Sequence, residues 1–334
     1  MSFKVGVDSY SLHPLELTPF ELLDWALIND AQGVQFSETP AEADDPGFLR
    51  ELAAYARQTG LYLEWGGGQH IPFDLSNGTP KDIAAGNRRA VSQAALLGAK
   101  TVRSCSGGLM RWRDDLPATE TLVRESAKAL AEQKGLFRDH GLVLAVETHF
   151  EFTTHELLRL FEAAGAEPGG GLGICLDTMN LLTMLEDPLA ATRRILPWVV
   201  TTHVKDGGIA LAGQGLRTFT AEAGTGVVDF AGIFKELAGL PNPVALSVED
   251  HGGDFVLPVF DPHFLGKFPD LTVAELAALL GLVHRTADRM AEGRLAVLDR
   301  ARWPRVCEER VKRDLAAVKA LAADAAPVGT PPAA

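Results

Sequence analysis

Val143-Leu-Ala-Val-Glu147-Thr-His149, Gly173-Ile-Cys-Leu-Asp177-Thr-Met-Asn180, Val199-Val-Thr-Thr-His203-Val-Lys205-Asp206 and Val244-Ala-Leu-Ser-Val-Glu249-Asp250 share one pattern. Each is a short apolar run, rich in β-branched residues, that stops on an acid or a histidine. Such runs read as strands. Working outward, Lys4–Val7, Gly33–Ser37, Leu61–Trp65 and Lys100–Cys105 read the same way, making eight in all. Their starts fall about 34 residues apart, the length of a strand plus a returning helix and its loops. The segments between them carry helix-start chemistry. Thr18-Pro-Phe-Glu21, Thr153-Thr-His-Glu156 and Thr272-Val-Ala-Glu275 each fit the capping box, in which a hydroxyl and a carboxylate satisfy free backbone donors. Apolar residues then recur at helical spacing, as in Phe20, Leu23, Ala26 and Leu27. Eight strand–helix units predict a closed (β/α)₈ barrel. An open doubly wound sheet is the alternative, but it should show a glycine-rich nucleotide turn, and the first strand is followed by none.

The barrel is expected over residues 1–292. After the eighth strand, the aromatic and proline-punctuated loop 250–270 is expected as a lid over the barrel mouth. Leu271–Ala291 reads as the eighth helix. Residues 293–324 form a helical extension whose Arg305–Ala323 stretch spaces Val306, Val311, Leu315, Val318 and Leu321 among charges, either to pack on the barrel or to join subunits. Residues 325–334 read as a frayed, disordered tail.

Lys and Arg number 31 against 44 Asp and Glu, a net charge of −13, which disfavours nucleic acid and anionic membranes as partners. Three cysteines, Cys105, Cys175 and Cys307, lie in unrelated settings without a CxxC pair, so neither a disulfide framework nor a thiolate zinc site is expected. The opening MSFKVGVDSY reads as a strand rather than a secretory segment, and no run of apolar residues is long enough to span a bilayer. A cytoplasmic protein is expected. The chain has no GxxxxGK loop, GxSxG elbow or HExxH helix, so nucleotide-driven, serine-hydrolase and zincin chemistry lose their usual supports.

In a parallel barrel, strand C-termini converge on one mouth, which brings Glu147, Asp177, His203 and Glu249 together. Any one of them alone is as well explained as a strand cap or a local salt bridge. Four in series are not. Three carboxylates crowded at one mouth repel unless a cation relieves them, and three oxygen donors with one imidazole suit Mn²⁺ or Mg²⁺, with Co²⁺ or Fe²⁺ compatible. A substrate ketone and hydroxyl chelated there would lose an adjacent proton readily, giving an enediolate. His149, two residues beyond Glu147 along an extended strand, is a candidate base. Lys205, Arg103 and Glu38 are candidate substrate contacts. Trp65, Trp112, Phe150 and Phe255 are candidates for an apolar wall.

These residues resemble the xylose isomerase-like TIM-barrel family of sugar isomerases and ketose 3-epimerases, with apurinic endonucleases as distant relatives. The likeness spans about residues 4–290 and rests on the EtH, lDTxN, tHvKD and vED blocks together with Gly224-Thr-Gly226-Val-Val-Asp229. It implies that Glu147, Asp177, His203 and Glu249 are metal ligands and that the two glutamates can act as an opposed acid/base pair. Asn180 stands where many relatives carry histidine, which argues against a multi-zinc phosphodiesterase. The EDHGG turn with its aromatic extension, the EtH block and Asn180 are most similar to the branch acting on 3-oxo sugars, which includes the large subunit of C-glycoside deglycosidases and the 3-oxo-isoapionate decarboxylases. The resemblance thus implies a metal-dependent carbon–carbon lyase on a 3-oxo sugar or C-glycoside, working as an oligomer with a small second subunit as a candidate partner. A ketose isomerase or 3-epimerase is the alternative, and a catalytically silent sugar-binding or partner subunit the remote one.

Overall fold

The computed structural model describes residues 3–106 and 110–325. Seven parallel strands follow one another around a barrel: β1 (Lys4–Asp8), β2 (Gly33–Phe36), β3 (Tyr62–Gly68), β4 (Thr101–Ser104), β5 (Val143–Glu147), β6 (Leu172–Asp177) and β7 (Val199–Val204). Two further strands, β8 (Asp206–Ala212) and β9 (Gly215–Ala221), intervene before β10 (Ala245–Val248) closes the barrel onto β1, with Lys4 opposite Ala245 and Val7 opposite Val248. This is the (β/α)₈ barrel that the spacing predicts, with strand ends shifted by a few residues.

β8 and β9 were not expected. They form an antiparallel hairpin that is joined on its β9 edge by β11 (Asp254–Leu257), from the loop after β10. Gly207-Gly208 makes the start of β8 read as a turn, yet close packing demands glycine there. A Cβ on Gly207 would stand 2.5 Å from the Phe219 carbonyl oxygen, and one on Gly208 2.5 Å from the Phe219 ring.

The helices are α1 (Pro19–Ile28), α2 (Pro46–Thr59), α3 (Ala84–Leu97), α4 (Thr119–Asp139), α5 (Thr154–Ala163), the single turn α6 (Asn180–Thr183), α7 (Pro188–Ile195), α8 (Phe230–Ala238), the short α9 (Pro262–Leu265), α10 (Val273–Ala291) and α11 (Trp303–Ala325). All three expected capping boxes form, at Thr18/Glu21, Thr153/Glu156 and Thr272/Glu275. The helix expected as the eighth of the barrel, however, packs elsewhere. α10 lies on β8, and α11 covers β1, β10, α8 and the Ser9–Leu15 turn. Helical periodicity reveals an apolar stripe without naming the surface it will cover. α11 buries Trp303, Cys307, Val311, Leu315 and Val318, and the Trp303 indole donates to the Ser11 carbonyl at 3.1 Å. Each large apolar side chain buried this way contributes roughly 1.5–3 kcal/mol.

Residues 250–270 are fastened rather than free. β11 pairs with β9, the Trp112 indole donates to Val256 O at 2.9 Å, and Lys267 Nζ donates to Arg111 O at 2.9 Å. The expected frayed tail lies outside the described residues beyond Ala325. Among the described residues no helix is long and apolar enough to cross a membrane.

Candidate metal centre

β5, β6 and β7 pair in a register that sets Glu147 beside Cys175 and Asp177 beside His203, while Glu249 follows the last residue of β10. Two threonines of the sequence blocks staple these ends. Thr148 Oγ1 donates to Asp177 O at 3.1 Å and accepts from Asp177 N at 2.8 Å; Thr178 Oγ1 donates to Lys205 O at 2.7 Å and accepts from Lys205 N at 3.0 Å. The result is that Glu147, Asp177, His203 and Glu249, all buried, each bring one donor atom to within 4.8 Å of the other three.

Each donor is aimed by a specific contact. Asp177 Oδ1 accepts from the backbone N–H groups of Met179 and Asn180 at 2.9 and 2.8 Å, which turns Oδ2 inward. His203 Nε2 donates to Gln35 Oε1, and Gln35 Nε2 donates in turn to Glu64 Oε2 at 2.6 Å, where Thr201 Oγ1 also donates at 2.7 Å. Because an ionised carboxylate only accepts, Gln35 must present its amide N–H to Glu64 and its carbonyl to His203. The imidazole proton therefore belongs on Nε2, and Nδ1 keeps its lone pair. Nδ1 is buried without a hydrogen-bond partner, 3.6 Å from Glu147 Oε1 and 3.5 Å from Glu249 Oε2.

The electrostatics favour positive charge between these groups. Burial works against ionising Glu147 and Glu249, but His203 with Arg103 for the first, and Lys205 with His203 for the second, hold both well below the usual carboxylate range. Asp177 is pushed up to about 7 by burial, even with Lys205 Nζ at 2.8 Å, and the two neighbouring glutamates add to the rise. Three acids around one orphaned imidazole nitrogen, supported behind by a Gln–Glu–Thr relay, could bind a divalent metal ion. The donor set admits several first-row metals as well as Mg²⁺.

The other expected site residues take distinct places. Arg103 ion-pairs with Glu147 and donates to the Ser37 carbonyl at 3.0 Å. Asn180 Nδ2 donates to Glu147 Oε1 at 3.3 Å. Lys205 Nζ bridges Asp177 and Glu249 and stands 3.5 Å from His251 Nε2. His149 Nδ1 is 3.1 Å from both oxygens of Glu151, and Glu38 is exposed on the rim. All but Asn180 line a cavity of about 480 Å³ at the mouth, together with Tyr10, Phe150, Phe255 and Arg300. Phe150 and Phe255 pack with ring centroids 4.6 Å apart. Trp65 and Trp112 are not part of this wall: Trp65 is fully buried with its indole on Gln93 Oε1, and Trp112 packs against Phe264.

Gln35, Glu64 and Thr201 escaped the reading of strand ends because they sit lower in the barrel. Their signal is a polar residue inside an apolar run, as in Val34-Gln35-Phe36 and Leu63-Glu64-Trp65. The GTGVVD block also gains a physical account. Asp206, next to Lys205, accepts from the backbone N–H groups of Gly207, Gly224, Gly226 and Val228, and a Cβ on Gly226 would stand 2.2 Å from its Oδ1. Asp250, after Glu249, accepts from His251 N and Gly252 N and lies 2.9 Å from Arg310 of α11.

The sequence model of the family described as xylose isomerase-like TIM barrel matches residues 23–279. A curated relative, the uncharacterized protein YihM of Escherichia coli strain K12, is 24% identical over 251 residues, 72% of this chain and 70% of YihM. Among solved structures, an L-ribulose 3-epimerase superposes with a TM-score of 0.55 at 21% identity, covering 89% of this chain and 99% of its own. The probable 3-DHS dehydratase AsbF of Bacillus anthracis superposes with a TM-score of 0.57 at 16% identity, covering 73% and 92%. At such identities the structural likenesses speak for the fold. With the family match spanning most of the chain and the barrel closed as described, this protein belongs to the xylose isomerase-like TIM-barrel family, within the superfamily of sugar isomerases and epimerases.

Proposed function

We propose that the protein removes the proton beside the carbonyl of a sugar or sugar-derived substrate at the Glu147–Asp177–His203–Glu249 centre and returns a proton to the same molecule, as an isomerase or epimerase. The observation that carries this reading is the placement of two carboxylates about His203 Nδ1, Glu147 at 3.6 Å and Glu249 at 3.5 Å. A divalent ion held by the four residues, Mn²⁺ or Mg²⁺ in this proposal with Co²⁺ or Fe²⁺ compatible, would polarise the substrate carbonyl and stabilise the enediolate. Glu147, oriented by Arg103 and Asn180, takes the proton from one face. Glu249, held by Lys205, delivers one to the other. Lys205 also places an ammonium beside the developing enolate charge. Phe150 and Phe255 offer an apolar surface to the face of the sugar ring.

A second reading keeps the same first step and changes its outcome. With a 3-oxo sugar, the enolate expels the substituent at C1, or a 3-oxo sugar acid loses CO₂, which makes the protein a carbon–carbon lyase with His149 as the base. The Phe150–Phe255 pair favours it, since two rings in contact at the mouth would seat an aglycone. Incubation of the metal-loaded protein with ketoses in deuterated water tests the first reading: α-deuteration is expected, and should fall by about 10²–10⁴-fold in Glu147→Gln and Glu249→Gln. Release of aglycone from a 3-oxo-C-glycoside, with no exchange into ketoses, decides for the second. Neither outcome, with metal bound, refutes both.

A further inference from the structure

We infer that Cys105, His149 and Glu151 form a second cation site, of the kind that takes Zn²⁺, on the wall of the same cavity. β4 ends at Ser104 and β5 at Glu147, and these strands are paired with Ser104 opposite Val146, so the first residues beyond each end are brought to one place. Cys105, His149 and Glu151 each offer a donor atom within 4.8 Å of the other two. The His149–Glu151 separation of 3.1 Å is close to the edge of a tetrahedral zinc shell, about 3.3 Å for bonds of about 2.0–2.1 Å. One edge of the site is thus already set.

The surroundings support the same assignment. Glu151, almost wholly buried, has its carboxylate fixed by the Ser106 backbone N–H at 3.1 Å and by the Ser106 hydroxyl, which is how a carboxylate ligand is held in orientation. Behind it His70, also buried, bonds Ser104 Oγ through Nδ1 at 2.7 Å and keeps an Nε2 with no hydrogen-bond partner among the described residues. His70 lines an adjoining cavity together with Cys105 and Ser106. Cys105 and His149 line the cavity of the first centre, so an ion has a path to them. Sulfur, nitrogen and oxygen together are a borderline-soft donor set, distinct from the oxygen-rich first centre, and three protein ligands leave one position open to the cavity. The absence of CxxC spacing spoke against a thiolate site, but these ligands meet through the barrel's pairing of β4 with β5 rather than through local spacing.

The inference goes beyond the proposed function: with His149 holding an ion, proton transfer is left to Glu147 and Glu249. Cobalt(II) titration of the metal-stripped full chain tests it without any substrate. The wild type is expected to bind two equivalents and to develop thiolate-to-cobalt charge-transfer absorption. Cys105→Ser should lose that absorption and one equivalent, Glu151→Gln should lose the same equivalent, and Ser106→Ala should weaken it by about 10–100-fold. Asp177→Asn should lose the other equivalent and keep the absorption. A wild type without charge-transfer absorption, or a band that survives Cys105→Ser, overturns the second site. Loss of binding on Asp177→Asn alone would leave the first centre standing while this inference falls.

Discussion

Gln35→Met asks whether the barrel interior aims the imidazole of the candidate centre. The substitution keeps the side chain's length and removes both of its roles, accepting from His203 Nε2 and donating to Glu64 at 2.6 Å. Glu64 keeps the hydroxyl of Thr201 at 2.7 Å, whereas His203 Nε2 loses its nearest acceptor and retains only Asp8 Oδ2 at 3.5 Å. Leaving a buried donor without a good partner costs about 1–3 kcal/mol of stability. Release of the ring orientation and of the Nε2–H tautomer should weaken metal binding by about 10–100-fold, which is about 1.4–2.7 kcal/mol. The affinity is read by competition with a chromophoric chelator, and stability by denaturant unfolding of the metal-free protein. A folded Gln35→Met protein whose metal affinity stays within about twofold of wild type would refute ligation through a Gln35-oriented Nδ1.

Three other outcomes follow from the packing and the charges. Glu275 is held at about 2 by Thr272, His155 and Arg194 against the burial that would raise it from 4.5, so its contribution is present above pH 4.5 and is lost as pH falls toward 2; Glu275→Gln should flatten the decline of the thermal midpoint across that window. Trp303→Ala should cost about 3–5 kcal/mol in denaturant unfolding, because the indole is buried against the barrel and bonded to Ser11 O; a loss under about 1 kcal/mol would mean that α11 is an appendage. Gly226→Ala forces a methyl to 2.2 Å from Asp206 Oδ1 and 2.3 Å from Gly207 O, and should destabilise by at least about 1–3 kcal/mol; unchanged unfolding would remove the Asp206 cradle from the account of this motif.

The barrel was legible because its evidence is local. Each β-rich run, capping box and returning helix leaves its mark within about 34 residues. The four acid and histidine positions were legible for the same reason, since a polar residue closing an apolar strand is conspicuous in the chain. The antiparallel sheet was not. Gly207-Gly208 reads as a turn, and only the approach of Phe219 from the neighbouring strand shows why glycine is needed. Nor could the chain say which of its two late amphipathic helices would cover β1 and β10, because both carry an apolar stripe and the partner surface is a property of the closed barrel.

The sequence by itself determined the period of the fold, the level at which the reactive side chains emerge, and the donor types at the first centre. Tertiary structure alone decided what surrounds them: that Lys205 lies between Asp177 and Glu249, that Arg103 turns inward onto Glu147, and that Gln35 and Glu64 orient His203 from strands more than a hundred residues away in the chain. Local pattern encodes backbone conformation, whereas tautomer, charge state and ligand orientation depend on neighbours that only closure of the barrel brings within hydrogen-bonding distance.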